Sequence, residues 1–187
     1  MTRLFVISDT HFGHGNIIKF VDDKGEIIRK HPSGRPFETV HEHDELVIQR
    51  WNETVTPEDY VYHLGDVAIN KQIIKHGLLS RLMGHKRLVR GNHDICDTRD
   101  YMKDFGEIFG VRVFQPGTFK NQQLEGKGFI LSHIPIHPAS IKEGWVNVHG
   151  HTHSNIVRLE NGHPDVRYKC VSLDHTDYRP VLLFETK

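Results

Sequence analysis

The sequence has little cysteine, no excess of charge of either sign and no long apolar run. Cys96 and Cys170 are the two cysteines in 187 residues. They form neither a CxxC pair nor a disulfide framework, a usage expected of a reducing, cytoplasmic compartment. Lysine plus arginine number 24 and aspartate plus glutamate 24, so no field of one sign draws the chain to nucleic acid or to a membrane surface. No apolar stretch approaches the length of a membrane-spanning helix. Met1-Thr2-Arg3 runs directly into Leu4-Phe5-Val6-Ile7, too short for the apolar core of a signal peptide and better read as a strand. Repeats, low-complexity tracts and Pro/Ser-rich linkers are also missing, which predicts one domain over 1–187.

What is abundant is histidine, with 16 residues. Histidine is the commonest transition-metal ligand, but it is also an ordinary polar surface residue, so position has to decide. Leu4 to Ile7 is a continuous apolar run of the kind expected of a strand buried on both faces. Tyr60 to Leu64 and Arg87 to Arg90 read as further buried strands. Apolar residues at helical spacing predict helices over Val40 to Val55 and Ile69 to Leu82. The second half is richer in strands: Val111 to Phe114, Gly128 to Ser132, Trp145 to His149, Asn155 to Leu159, Val166 to Leu173 and Val181 to Phe184. Asn161-Gly162 is a hairpin turn signal between two of these. The pattern predicts an α/β architecture of two stacked sheets flanked by helices. The segment 13–39, with four glycines, two prolines and mixed charge, predicts an irregular loop, and its start just after Asp9 and His11 puts it at the border of a site.

Five short motifs follow predicted strands or begin loops: Asp9-Thr10-His11, Gly65-Asp66, Gly91-Asn92-His93-Asp94, Ser132-His133 and Gly150-His151-Thr152-His153. In α/β folds the loops at the carboxyl ends of strands form the ligand crevice. The residue types suit two divalent transition metals. Asp9, His11, Asp66 and His153 would supply two oxygens and two nitrogens to one ion, and Asp66, Asn92, His133 and His151 the same mixture to a second, with Asp66 bridging. Mixed imidazole and carboxylate ligation favours manganese, iron, zinc or their neighbours nickel and cobalt over magnesium or calcium. Each motif alone also occurs as ordinary turn or capping chemistry. Their joint order, each at a strand end, is what carries the reading.

This series resembles the calcineurin-like metallophosphoesterase superfamily, whose pattern runs D-x-H, G-D, G-N-H-D/E, H and G-H-x-H, and the resemblance spans Asp9 to His153. It implies a four-layer α/β/β/α sandwich of two mixed sheets flanked by helices, a dinuclear site with the ligands given above, and His93 as catalytic histidine beside Asn92. Val67-Ala68-Ile69-Asn70 after Asp66 departs from the serine/threonine phosphatase branch, which carries further Asp and Arg there. The compact length, Asp9-Thr10-His11-Phe12-Gly13-His14 and Tyr178-Arg179-Pro180-Val181 look more like small bacterial and phage members. The leading reading is hydrolysis of a phosphomonoester or a small phosphodiester, nucleotide-like ones included, by a metal-bridging hydroxide, and the donor set favours manganese.

Other residues receive smaller roles. Asp94 is a candidate to orient His93. His14, Asn16 and Arg35 are candidate substrate contacts, with Lys19 and His137 behind them. His41 and His43 are expected on a solvated helix face, and His63 and His149 in the core. A nuclease is an alternative, although no basic stripe interleaved with aromatics indicates nucleic acid. A silent interaction scaffold is a further alternative, weakened by retention of all seven ligands and His93.

Overall fold

A computed structural model gives the fold of residues 2–118 and 126–186. Strands β1 (Thr2–Ile7), β2 (Tyr60–His63), β3 (His85–Val89) and β4 (Glu107–Phe109) run parallel in one sheet. Strand β9 (Val181–Thr186) adds antiparallel beside β1, so the order is β4-β3-β2-β1-β9. The second sheet has the order β5-β6-β7-β8, from β5 (Val111–Phe114), β6 (Gly128–Ser132), β7 (Trp145–His149) and β8 (Tyr168–Cys170). Its β5 is antiparallel to β6 and the remaining pairs are parallel. The fold is therefore α/β with two mixed sheets.

The continuous apolar run of β1 is explained by what lies on its two faces. Leu4 and Val6 belong to the core between the sheets, with Tyr62, Leu64, Val89, Leu131, Val148 and Phe184. Phe5 and Ile7 point the other way, into the core shared with α1 (Val40–Thr54). Helix α1 starts at Thr39, whose hydroxyl accepts from the Glu42 N–H at 3.1 Å, the cap expected of a threonine at that position. Its buried stripe includes Val47, Ile48 and Trp51, and the Trp51 indole donates to the Met83 carbonyl at 2.9 Å. Two short helices, α2 (Lys71–Lys75) and α3 (Thr98–Tyr101), lie further along the chain.

Three expectations need correction. The helix over Ile69 to Leu82 is broken: α2 ends and a 3-10 turn (Leu78–Arg81) begins at Gly77, whose φ of 77° leaves the right-handed helix. No strand forms over Asn155 to Leu159. The Asn161-Gly162 turn closes one isolated bridge, Arg158 with Pro164, and Leu159 is 42% exposed, so no buried face extends the pairing. Finally, among the described residues the outer side of the second sheet meets chain around Ile136 and no α-helix. The Ile136 N–H donates to Asn147 Oδ1 and the Tyr168 hydroxyl donates to the Ile136 carbonyl. No described helix is long and apolar enough to cross a membrane.

Candidate metal centre

All five motifs meet at the carboxyl ends of β1, β2, β3, β6 and β7. The loops after β1 and β2 run side by side: Asp9 N–H donates to the Gly65 carbonyl, and His11 N–H to the Asp66 carbonyl, both at 3.0 Å. The loop after β7 joins them, because the His151 N–H donates to Asp9 Oδ2 at 3.0 Å. Such close approach demands glycine at Gly91 and Gly150. A Cβ on Gly91 would collide with the Asp66 carboxylate, and one on Gly150 with Ser8 and the Asp9 carboxylate.

The backbone carries a second mark of function. Positive φ occurs at seven described non-glycine residues, and five of them are Asp9, His11, Asp66, His151 and His153. The left-handed region costs an L-residue about 1 kcal/mol or more. Strain concentrated on these five positions is explained by side chains being turned toward a common point.

Side-chain geometry fits divalent ions. Asp66 Oδ1 accepts from the His93 N–H at 2.9 Å, and Oδ2 is the oxygen turned to the imidazoles. That oxygen lies 3.4 Å from His133 Nε2 and 3.7 Å from His11 Nε2, within reach of both imidazoles. Possible ligand atoms of Asp9, His11 and His153 lie within 4.8 Å of one another, as do those of Asp9, Asp66 and His133. Both ring nitrogens of His11 are buried without a partner. Burial, followed by the charge of Arg29, pushes the His11 pKa down to about 2, so the ring stays neutral and one of its nitrogens keeps a lone pair. His133 Nδ1 donates to the Leu64 carbonyl at 2.8 Å, which keeps the lone pair on Nε2. That lone pair meets Asn92 Oδ1 at 2.9 Å and His151 Nδ1 at 3.2 Å. The three atoms converge on one point, and a cation there would meet an oxygen and two imidazole nitrogens. Burial lowers the His133 pKa, but the hydrogen bond and charge of Asp66 more than offset it and the net shift is upward.

The remaining candidates divide. His93 is exposed, with its ring centroid 5.7 Å from that of His11. His14 lies 5.8 Å from His11 on another side. Asn16 is exposed, and its carbonyl accepts from the Lys19 N–H. Arg35 pairs with Glu42 and Glu38 on the surface, and its guanidinium is engaged there. His137 caps the 3-10 turn at Pro138–Ser140. Asp94 faces inward but not toward the His93 ring. Its oxygens accept from the backbone N–H groups of Asp66, Val67 and Gly91 and from the Tyr101 hydroxyl. It therefore shapes the Asp66 loop, which corrects the expectation that it orients His93. His63 is a core residue, held between the Thr10 hydroxyl and the Gly65 N–H. His149 is fully buried as expected.

Three contributors escaped sequence reasoning. Asp174 Oδ2 accepts from His153 Nδ1 at 3.1 Å, leaving the Nε2 lone pair available to an ion. Arg29, 1% exposed, donates to both Asp174 oxygens at 3.0 and 3.2 Å and to the Asp9 carbonyl at 2.7 Å. Burial raises the Asp174 carboxyl, but Arg29, His153 and Ser172 hold it below the usual carboxylate range. His43 corrects its assignment to a solvated face. It is fully buried because Nε2 meets Arg29 at 3.3 Å and Nδ1 meets Asp44 at 3.0 Å. The signal available for Asp174 was its place just after a strand run, like Asp9 after Ile7. Arg29 and His43 left none, since their partnership depends on the path of 13–39.

No family model matches the chain. The uncharacterized protein MJ1445 of Methanocaldococcus jannaschii is 34% identical over 187 residues, covering 98% of this chain and 88% of its own. The chain belongs to the MJ1445 family. The Gene 66 protein of Mycobacterium phage D29 is 29% identical, with 88% and 85% of the two chains covered. A protein of unknown function from Aquifex aeolicus, AQ665, shares the fold at TM-score 0.64 and 25% identity, covering 97% of this chain and 96% of its own. An uncharacterized Streptococcus pneumoniae TIGR4 protein described as a predicted phosphoesterase reaches TM-score 0.38 at 15% identity, covering 90% of this chain and 70% of its own.

Proposed function

We propose that the chain is a dinuclear metal-dependent phosphoesterase of the calcineurin-like superfamily, acting on a phosphomonoester or a small phosphodiester. The observation that carries this reading is the position of Asp66 Oδ2 between His133 Nε2 and His11 Nε2, at 3.4 and 3.7 Å. Asp9, His11, Asp66 and His153 would hold one ion, and Asp66, Asn92, His133 and His151 the other. When bound, two such ions lower the pKa of a coordinated water and neutralise charge developing on the phosphoryl group.

The protein's own groups supply the rest. Neutral Asn92 stands where a third carboxylate would cancel positive charge, so the centre attracts a phosphate oxyanion. His93, exposed beside His11, donates a proton to the departing oxygen. His14 contacts the substrate from the 13–39 side, while Arg35 is spent on Glu42. Manganese suits four imidazoles and two carboxylates, and iron, zinc, nickel or cobalt accept the same donors. With this reading goes one domain over 1–187 built on the two mixed sheets.

A screen of phosphomonoesters, cyclic nucleotides and dinucleotides with manganese tests the proposal. Hydrolysis of at least one class, abolished by chelation, is expected. Failure of every class at full metal loading would overturn it.

A further inference from the structure

A cleft of about 670 Å³ opens beside the metal centre. One wall is Lys19, Phe20, Val21 and Ile28; the other is the stretch 151–155, which includes the two ligands His151 and His153. The volume lies in the range of small-molecule sites, about 300–1,000 Å³.

The apolar wall is constructed by local hydrogen bonding. Val21 forms an isolated antiparallel bridge with Ile27, and the Ile28 N–H donates to the Phe20 carbonyl at 2.9 Å. Asp22 Oδ1 closes the intervening turn, accepting from the Lys24 and Glu26 N–H groups at 2.9 Å. Ile17 and Ile18 anchor this hairpin in the core at 2% and 6% exposure, yet Phe20 and Val21 stand out at 48% and 52%. Two large apolar side chains offered to solvent beside a polar centre call for a ligand.

Phe20 is connected to that centre. Its ring meets the His14 ring edge-on at 5.9 Å, and His14 meets the metal-ligand candidate His11 at 5.8 Å. A phosphate held on the ions would direct its organic substituent along this row of rings. The wall offers an aromatic face and two aliphatic side chains to that substituent. The opposite wall offers the exposed polar groups of Ser154 and Asn155. A flat apolar face together with hydrogen-bonding edges is the chemistry of a nucleobase, and the Lys19 ammonium at the rim adds a partner for a phosphate oxygen.

We propose that the cleft formed by Phe20, Val21 and Ile28 against the 151–155 stretch binds the nucleobase of a nucleoside phosphate whose phosphate occupies the metal centre. The phosphate half of this statement rests on the function proposed above; the base half does not.

The test is equilibrium dialysis of manganese-loaded protein against methyl phosphate, the four common nucleoside 5′-monophosphates and the corresponding free nucleosides. At least one nucleotide should bind ten-fold or more tightly than methyl phosphate, and Phe20→Ala should reduce that preference about ten-fold. Equal binding of methyl phosphate and every nucleotide would overturn the proposal, as would a preference that survives in Phe20→Ala. A variant that has lost its fold is recognised by weakening of methyl phosphate to the same degree, and Val21→Ser then replaces it with the same two outcomes. If methyl phosphate binds neither with manganese nor without it, the metal reading fails. The free nucleosides then decide the cleft: binding lost in Phe20→Ala supports it and no binding overturns it.

Discussion

His153 Nδ1 lies 3.1 Å from Asp174 Oδ2, and this single hydrogen bond fixes the tautomer of a metal-ligand candidate. Asp174 is in turn clamped by Arg29 through both of its oxygens. The irregular stretch 13–39 therefore reaches the metal centre through a buried ion pair, and the same guanidinium holds the Asp9 carbonyl.

Removing that carboxylate should loosen one ion and not the other. Asp174→Asn is expected to weaken the ion held by Asp9, His11 and His153 by about 10–100-fold. Manganese titration of the metal-free variant reads this as two separated affinities. Equal weakening of both ions, or of neither, contradicts the assignment. Arg29→Met leaves Asp174 buried without its cation and should cost about 3–5 kcal/mol in urea unfolding.

Asp66 is the proposed bridge, so Asp66→Asn should disturb both ions, whereas Asp9→Asn should mainly weaken one. Metal stoichiometry of the two purified variants separates them. Two tightly bound ions retained by Asp66→Asn would refute the bridging role.

His93 is not among the ligand candidates, so His93→Asn should still bind two ions and fold normally. General acid catalysis contributes about 10²–10⁴-fold, and the loss should follow the leaving group. An alkyl phosphate departs as a basic alkoxide and needs the proton; a nitrophenyl ester departs as a stabilised phenolate and needs it little. Equal losses on the two esters would instead assign His93 to a phosphate oxygen.

Acid should destabilise the metal-free protein through its buried neutral histidines. Burial pushes the His63 pKa down to about 3, against about 6.5 in the unfolded chain. Between those values the unfolded chain binds a proton that the folded chain refuses. Stability contributed by a neutral His63 is therefore whole above pH ~6.5, and falls by up to about 1.4 kcal/mol per unit as pH drops toward 3. His63→Gln should make the decline of unfolding free energy with acid shallower by up to one proton. An unchanged slope would show that His63 titrates alike in both states.

The reach of sequence reading has a physical boundary here. Short-range patterns survived well: the apolar run of β1, the helical stripe of α1 and the five motifs at strand ends all depend on neighbours in sequence. What failed depended on distant partners or on one backbone angle. Gly77 in the left-handed region splits a helix whose apolar spacing is otherwise continuous. His43 has the polar neighbours of a solvated face, yet Arg29 arrives fourteen residues upstream and buries it. Asp174 follows a run read as one long strand to Leu173, whereas β8 stops at Cys170 and Asp174 sits in a 3-10 turn (Leu173–His175).

Manganese titration of metal-free protein, with hydrolysis of a nitrophenyl phosphate ester followed throughout, addresses the two-ion centre most directly. No hydrolysis is expected before metal is added, with a rise that reaches its plateau at two ions per chain and reverses on chelation. Hydrolysis that persists after verified metal removal, or a plateau already reached at one ion per chain, would contradict the two-ion centre bridged by Asp66.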